Sequence, residues 1–414
     1  MKLKFNPTLR RALAICLFLA PASWAGARYK VLHNFGAGGD GVGPSGPLIL
    51  GRRGNLYGVT GGGGTGCSGG CGTVFEMKPR ANGTRKEVIL HNFTAHSGGA
   101  FPWGTLVFDE SGRLYGSMSG YGSFAVGGAF GLTPACGGWK YAPLYTDGAG
   151  PGLLIDDLGN LYGDMGPGQY KYYGAIGELS PGSDGWTYTA LYSYCPQGGT
   201  CPDGRAEPAP PIWDGRGNLY GTTQYGGINS PPCYTSFGCG VIFKMTANPD
   251  GTWTYHVVHR FASSPTDGVT PDGGLVMDAY GNVYGTTLAG GPLGDGEVFK
   301  LSFAGGHWRI TVVYDFPDWQ DGGAPYGTLV FDKSGNLYGE ALGGYSCGSA
   351  SCGVVFKLTP RKEGQWTYTV LHKFTPATGV FPVGVTWDGK GHLFGTAMEG
   401  GKHNNAGVAF EIAP

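Results

Sequence analysis

The sequence predicts an all-β fold in which seven four-stranded antiparallel sheets form a closed ring. The first observation is a pentapeptide, GNLYG or a close relative, whose aromatic residue recurs at Tyr57, Tyr115, Tyr162, Tyr220, Tyr284, Tyr338 and Phe394. The second is that each repeat contains four segments with β-strand alternation, and no segment has a sustained helical period. The third is that the two ends of the predicted mature chain match different strands of one sheet.

The sixth repeat illustrates the four predicted strands. Residues 327–332 form the first and 336–342 the second, joined by a tight turn in which Gly335 supplies the positive φ angle of a bulged hairpin. Residues 353–358 form the third and 366–374 the fourth, with large side chains alternating on one face. A period of 47 to 64 residues made of short strands is typical of the blade of a β-propeller.

The chain ends predict how the ring closes. Residues 29–35 (YKVLHNF) match a fourth strand, and residues 407–412 (GVAFEI) match a third. The N-terminal strand should therefore complete the C-terminal blade, which leaves a seven-bladed β-propeller without a free sheet edge. A linear solenoid would instead need capping repeats at its ends.

The first 25 residues predict a cleaved signal peptide rather than part of the fold. Four cations precede the apolar run 12–20, which is followed by small residues up to Ala25. Cleavage is expected after Ala25, with Ala27 as the second choice, and residues 26–414 are then a single secreted domain, either extracellular, periplasmic or at the cell surface. The run is too short to span a bilayer, so no transmembrane span is expected in the mature chain. Removing the four cations takes the formal net charge from −1 to −5, which gives no reason to expect nucleic acid as a partner.

Cysteine usage agrees with export. Eight of the ten cysteines fall into close pairs, which are Cys67 with Cys71, Cys195 with Cys201, Cys233 with Cys239, and Cys347 with Cys352. Zinc binding is the alternative, but no pair has C-x-x-C spacing and the pairs lie far apart in sequence, so disulfides are favoured. Cys16 leaves with the signal peptide, and Cys136 remains as a buried or idle thiol.

The repeat resembles a known family. The unit D-x-x-G-N-L-Y-G, followed by a glycine-rich loop, G-x-V-F-K-L-x-P and V-L-H-x-F, is similar to the GloVer-type tandem repeats of bacterial secreted proteins, which are taken to be β-propellers. The resemblance covers residues 29–414 and implies no catalytic residues. The D-x-x-G-N-L-Y turn also looks like that of NHL-type propellers, which are mostly binding modules. Surface attachment through a C-terminal sorting segment, as in many members, is not expected because the chain ends at Pro414.

One face of the ring is predicted to carry the functional loops. In a propeller, the loops from second to third strand and from fourth strand to the next blade emerge on the same face, and all four cysteine pairs fall in such loops. We call this the looped face. Loops on a rigid scaffold commonly carry function.

Two groups of residues on the looped face are candidates for ligand contact. Asp-Gly pairs recur in the fourth-to-first loops at Asp40, Asp147, Asp203, Asp267 and Asp321. They either make the turn or, as with Asp267 and Asp321, contact a cation such as calcium or polar substrate groups. The variable position of the P-x-G step before the first strand is Trp103, Asp272, Tyr326 or Val383, and Trp319 lies just before Asp321. These aromatics either bind a carbohydrate or peptide, or pack under a loop.

The remaining aromatics are assigned to structure. Tryptophans 139, 186, 253, 308 and 366 each stand six residues before a Tyr or His of the fourth strand, and Trp213 and Trp387 take the strand position of Phe108 and Phe331. Histidines 33, 91, 259 and 372 alternate with tyrosines at one strand position, which favours half-buried strand residues over catalytic groups.

The sequence therefore predicts a secreted, monomeric binding module for an extracellular glycan or protein, with no catalytic residue, no metal ligand and no cofactor, calcium being the one alternative. The alternatives are a propeller enzyme, a polysaccharide lyase or glycoside hydrolase with acids on the looped face, and a structural cell-surface component.

Overall fold

The computed structural model describes residues 27–94, 99–119, 127–166, 174–196, 201–206, 209–228, 233, 237–264, 266–320, 322–344, 346–347 and 350–414. Within these residues the fold is all-β, with seven blades of four antiparallel strands and only short 3-10 turns at Arg52–Gly54 and Lys362–Gly364. None of the described helices is long and apolar enough for a membrane span.

The blades follow one another along the chain, and each is numbered by its place in that order. Blade 1 contains Gly41–Pro44, Ile49–Leu50, Leu56–Gly63, Thr73–Pro79 and Arg85–Asn92. Blade 2 contains Ala100–Phe108, Leu114–Ser119, Gly128–Ala135 and Gly138–Tyr145. Blade 3 contains Leu154–Ile155, Leu161–Asp164, Ala175–Gly182 and Gly185–Ser193. Blade 4 contains Ile212–Trp213, Asn218–Thr223, Val241–Ala247 and Trp253–Arg260.

The later blades keep the same order of strands. Blade 5 contains Val276–Met277, Val283–Thr287, Glu297–Ala304 and His307–Asp315, with the added pair Gly268–Val269 and Ala289–Gly290. Blade 6 contains Pro325–Phe331, Leu337–Ala341, Val354–Pro360 and Trp366–Lys373, with the small hairpin Ser346–Cys347 and Ala350–Ser351. Blade 7 contains Val380–Trp387, Leu393–Glu399 and Val408–Ala413, completed by Arg28–Asn34.

The ring closes as the chain ends predict. Arg28–Asn34 pairs antiparallel with Val408–Ala413, from Arg28 opposite Ala413 to Asn34 opposite Val408. The N-terminal strand is therefore the outer strand of blade 7, and the predicted closed seven-bladed propeller is confirmed.

The turn before the repeated pentapeptide is built around an aspartate. In blade 6, Asp332 accepts four hydrogen bonds: its Oδ1 accepts from the backbone N–H groups of Ser334 and Asn336, and its Oδ2 accepts from Asn336 Nδ2 and the Tyr338 hydroxyl, over 2.7 to 3.0 Å. Asp156 and Asp278 make the equivalent four bonds in blades 3 and 5. Asp, Asn and Tyr thus form one local network that fixes the hairpin.

The pentapeptide tyrosine also holds neighbouring blades together. Tyr57 lies edge-on to Phe108 and Trp139 of blade 2, with ring centroids 5.0 and 6.4 Å apart. In blade 6, Tyr338 stacks on Trp387 of blade 7 at 5.4 Å. The same tyrosine contacts the fourth-strand tryptophan of the next blade at Trp186, Trp253, Trp308 and Trp366. The structural assignment of these tryptophans agrees with the contacts, and the repetition serves the packing between blades.

A second series of aromatic contacts joins the fourth strands. The His or Tyr near the end of one fourth strand stacks on a tyrosine of the next blade, in the pairs His91–Tyr141, Tyr145–Tyr188, Tyr192–Tyr255, Tyr314–Tyr368 and His372–Tyr29. The ring centroids of these pairs are 3.7 to 4.8 Å apart. Burial in such a stack lowers the pKa of both His91 and His372 to about 4, so both rings are neutral at pH 7.

Candidate functional site

Disulfides tie the loops of the looped face as predicted. The described bonds are Cys67–Cys71, Cys195–Cys201 and Cys233–Cys239. Cys352 is also disulfide-bonded, whereas the side chain of its predicted partner Cys347 lies outside the described residues. Cys136 is free and exposed at a hairpin turn, so of the two expectations for this thiol, buried or idle, burial is wrong. The disulfides indicate an oxidising compartment outside the cytoplasm.

The half-cystines also connect neighbouring blades through the backbone. The carbonyls of Cys71, Cys239 and Cys352 accept hydrogen bonds of 2.8 to 3.1 Å from the N–H groups at the start of the next blade. The donors are Phe101, Thr270 and Phe381, which are non-glycine residues with φ angles of 55 to 58°. Such left-handed conformations are costly for these residue types, so the surrounding structure must hold them in place. The rim of the looped face is therefore a rigid scaffold.

The two predicted tryptophans are exposed but distant from one another. Trp103 lies in the first strand of blade 2 and is 39% exposed, and Trp319 lies in the loop between blades 5 and 6 and is 47% exposed. Blade 2 and the junction of blades 5 and 6 stand on different sides of a seven-bladed ring. The structure therefore does not bring the two side chains into one site.

Asp272 and Tyr326 do come together, and they meet a third residue that the sequence did not single out. Tyr326 is the cross-strand partner of Glu340. Burial above all, and then the charges of Glu340 and Asp272, raise the pKa of the Tyr326 hydroxyl. Asp272 accepts a 2.7 Å hydrogen bond from Gln224 Nε2, and burial raises its pKa to about 6. We call Asp272, Tyr326 and Glu340 the inner acid cluster.

Glu340 is the most unusual member of the inner acid cluster. It is fully buried, and burial raises its pKa to about 8 in spite of the backbone N–H of Gly384. The equivalent residues Thr222, Thr286 and Thr396 instead donate a hydroxyl hydrogen bond to a backbone carbonyl of the next blade. In blade 6 a buried carboxyl group thus stands where blades 4, 5 and 7 have the threonine hydroxyl, and blade 3 has a second carboxyl group, Asp164, at the same position.

The Asp-Gly carboxylates are engaged within the fold where they are described. Asp267 is buried, and its carboxylate lies 3.0 Å from His259 Nε2 and accepts hydrogen bonds from the backbone and hydroxyl of Ser263. Asp203 accepts from the Tyr192 hydroxyl over 2.8 Å in the same way. These bonds favour the structural interpretation of the Asp-Gly theme, and contact of Asp267 with a ligand stays a prediction. Asp321 lies outside the described residues.

A partly open cleft lies on the opposite face, between the short turns of blades 4 and 5. It has a volume of about 460 Å³, within the range of ligand pockets. Its apolar side is formed by Tyr280, Phe303 and Trp308, and its polar side includes Arg216 and Lys244. We call it the turn-face cleft.

The aromatic side of the turn-face cleft is open to solvent. Tyr280 is 92% exposed and Phe303 is 59% exposed, while Trp308 lies beneath them, 5.0 Å from Phe303 and 5.9 Å from the buried Tyr220. Phe303 packs on Trp308 with one part of its ring, but most of the surface of Phe303 and nearly all of Tyr280 face solvent and add nothing to the core.

Sequence reasoning missed the turn-face cleft because it searched the looped face. The signal was nevertheless present in the repeat. Phe303 occupies a position that holds proline in five other units, at Pro79, Pro134, Pro181, Pro360 and Pro414. Tyr280 occupies the third position of the D-x-x-G turn, where the other units have Arg53, Ser111, Leu158, Arg216, Ser334 and Lys390. Two exposed aromatics thus depart from the repeat within one blade.

Comparison with known proteins supports the architecture. Residues 232–414 match the family model of the Gloeobacter/Verrucomicrobia repeat, and this match together with the seven blades fits a GloVer-type repeat propeller. No curated protein sequence matches the chain.

Solved propeller structures are similar at low sequence identity. An ancestral GH74 enzyme is 12% identical with a TM-score of 0.51, covering 93% of this chain and 53% of that chain. A luciferin-regenerating enzyme is 14% identical with a TM-score of 0.44, covering 75% and 91%. The apo-form of the soluble aldose sugar dehydrogenase from Escherichia coli is 13% identical with a TM-score of 0.44, covering 94% and 99%. At such identities the likeness concerns the fold alone.

Proposed function

We propose that this seven-bladed propeller, whose residues 232–414 match the Gloeobacter/Verrucomicrobia repeat, is an extracellular saccharide-binding module with the turn-face cleft as its binding site. The observation that carries the proposal is the pair of exposed aromatics, Tyr280 and Phe303, beside a cleft of ligand size. The predicted signal peptide and the disulfides support a location outside the cytoplasm.

The chemistry of the turn-face cleft suits sugars. Flat aromatic faces pack against the C–H faces of pyranose rings, and the buried apolar area supplies affinity. Arg216 and Lys244 offer hydrogen-bond donors, while Asp214 and Asp278 offer acceptors that already hold the local turns rigid. Two cations and two anions leave the cleft with no excess charge, which favours a neutral saccharide.

The test is affinity gel electrophoresis and isothermal titration calorimetry against a panel of neutral polysaccharides. Tyr280→Ala and Phe303→Pro should each weaken binding by about tenfold, the loss expected for one stacked aromatic. Phe303→Pro restores the residue of five other units, so the fold should be unaffected. Leu158→Ala is the matched control, because Leu158 is 81% exposed at the same turn position of blade 3.

Two results would contradict the proposal in different ways. Equal binding by the wild type and both cleft variants would exclude the turn-face cleft as the site. Loss of binding in Trp103→Ala or Trp319→Ala instead would move saccharide binding to the looped face, where the sequence predicted it.

A second candidate, a propeller lyase or glycoside hydrolase, is favoured by the inner acid cluster. Asp272 and Glu340 both have raised pKa values, about 6 and about 8, and groups with such values are candidates for acid–base catalysis. Release of reducing ends or of unsaturated products from polysaccharides, lost in Asp272→Asn, would support the enzyme. Turnover that persists in Asp272→Asn would contradict this assignment.

A further inference from the structure

Three potential metal ligands converge where the N-terminal strand meets blade 1. His33 lies in that strand, Asp40 in the loop that follows, and Glu87 in the fourth strand of blade 1. His33 Nε2 is 2.8 Å from Asp40 Oδ2 and 3.5 Å from Glu87 Oε2, and one ligand atom from each of the three residues lies within 4.8 Å of the others. Their side chains are 22%, 5% and 12% exposed, so the cluster is nearly enclosed but reachable through His33.

Glu87 is the residue that departs from the repeat. In five other blades the same fourth-strand position holds a tyrosine that stacks on the preceding blade, at Tyr29, Tyr141, Tyr188, Tyr255 and Tyr368. Blade 5 has Ile310 there, next to the otherwise similar pair His259–Asp267 of blade 4. The junction of blades 7 and 1 thus has a carboxylate where the fold elsewhere uses an apolar or aromatic side chain.

The carboxylate is a costly replacement. Asp40 already accepts a 2.7 Å hydrogen bond from the Gly41 N–H and lies 2.8 Å from His33 Nε2. Glu87 Oε1 is buried without a hydrogen-bond partner in the described structure. Two facing carboxyl groups and an unsatisfied buried oxygen are what a bound cation would relieve.

The distances suit a small divalent transition-metal ion. Two ligands at about 2.0 to 2.2 Å from a tetrahedral zinc ion are about 3.3 to 3.5 Å apart. The 3.5 Å between His33 Nε2 and Glu87 Oε2 matches this spacing, whereas the 2.8 Å hydrogen bond between His33 Nε2 and Asp40 Oδ2 would have to open by about 0.5 Å to admit the ion. Asp40 Oδ1 accepts the Gly41 N–H over 2.7 Å, an outer-shell bond that would orient the ligand. An imidazole among the ligands favours zinc over calcium, which prefers six to eight oxygens.

We propose that His33, Asp40 and Glu87 bind a divalent transition-metal ion, with zinc as its best probe, which ties the ring-closing N-terminal strand of blade 7 to blade 1. A water molecule would complete the coordination. Because the ion would bridge the two blades at the closure of the ring, it would stabilise the whole propeller.

The test compares zinc binding by the wild type and by Glu87→Tyr, both in a Cys136→Ser background that removes the free thiol. After dialysis against EDTA, one equivalent of zinc should raise the Tm of the wild type by a few degrees, whereas calcium and magnesium should leave it unchanged. Glu87→Tyr installs the residue of five other blades, so it should fold without metal, and calorimetry should show at least tenfold weaker zinc binding.

Glu87→Gln provides a second variant that keeps the size of the side chain and removes its charge. It should also lose the zinc-dependent rise in Tm. X-ray absorption at the zinc edge should show one imidazole and only oxygen as the remaining ligands. A wild type that gains no stability with zinc, or variants that bind zinc as tightly as the wild type, would overturn the proposal.

Discussion

Replacement of Asp332 by alanine tests whether the aspartate network is the reason for the repeated pentapeptide. The substitution removes the acceptor for four hydrogen bonds and leaves the buried Tyr338 hydroxyl without its partner. The donors at the hairpin turn can form hydrogen bonds with water instead, but the tyrosine hydroxyl lies between blades and cannot. We therefore expect a loss of about 2 to 4 kcal/mol in the free energy of unfolding, one buried charge-assisted bond plus a smaller contribution from the exposed ones.

Blade 1 supplies a built-in rescue of this loss. There the aspartate is replaced by Gly51, and Glu76 on the third strand accepts from both Asn55 Nδ2 and the Tyr57 hydroxyl, over 2.6 and 2.7 Å. Lys357 occupies the corresponding position of blade 6, opposite Tyr338.

The double variant Asp332→Ala/Lys357→Glu should therefore recover about half of the lost stability, because two of the four donors regain an acceptor. Urea unfolding followed by tryptophan fluorescence gives the three free energies, with Lys357→Glu alone as the matched control. A loss below about 0.5 kcal/mol in Asp332→Ala, or no coupling between the two positions, would refute the reasoning.

Three further predictions concern stability. Burial, with Asp267 and Asp315, raises the pKa of Glu297 to about 8, so between pH 4.5 and 8 this group is protonated in the folded protein but ionised in the unfolded chain. Glu297→Gln should therefore be more stable than the wild type in that pH range, by about 1 to 3 kcal/mol at pH 7. Urea unfolding that gives the same difference between variant and wild type at pH 4 and at pH 8 would contradict this. His91 and His372 have pKa values of about 4 in the folded protein, so the unfolded chain binds protons more readily and the protein should become less stable as the pH falls from 6.5 towards 4. In thermal unfolding across that range, a His91→Tyr/His372→Tyr variant should lose the part of the pH dependence that these two residues cause. Tyr29→Ala removes a ring that stacks on His372, so hydrogen exchange of the N-terminal strand should accelerate selectively; uniform acceleration over all blades would argue against a local role in closure.

The architecture was predictable because its causes are local or periodic. Strand alternation, the D-x-x-G turn and the fixed offset of the fourth-strand tryptophans recur in register with Tyr57 and its equivalents, so one repeat could be checked against the others. Closure followed from the identity of the strands at the two chain ends. The contacts of these residues, such as Trp139 on Tyr57, then follow from placing each blade beside the next.

The candidate sites were less predictable because their members belong to different blades. Glu87 reaches His33 only because the ring closes, although 54 residues separate them in the sequence. Glu340 meets Tyr326 and Asp272 through the pairing of strands and the junction of blades 5 and 6. Such encounters depend on how far each side chain extends across a junction, which strand patterns do not specify. The Asp-Gly carboxylates illustrate the opposite case, since their recurrence predicted a structural role that the Asp267–His259 pair supports.

Repetition provides a physical criterion for finding function in this fold. At a repeat position that packs in the same way in all seven blades, the most common residue is the one that suits the shared geometry. A different residue that lowers stability at such a position therefore needs a compensating interaction. Glu87 gives up a ring stack, Glu340 gives up a threonine hydrogen bond, and Phe303 exposes an aromatic ring in place of a rigid proline. Burying the carboxyl groups of Glu87 and Glu340 costs free energy in the unliganded protein, and Phe303 adds exposed apolar area. Substituting the common residue at each of these positions should therefore stabilise the propeller in the absence of ligand and remove one side chain proposed to contact a ligand. A substituted variant that is less stable than the wild type in the absence of ligand would show that the unusual residue serves packing.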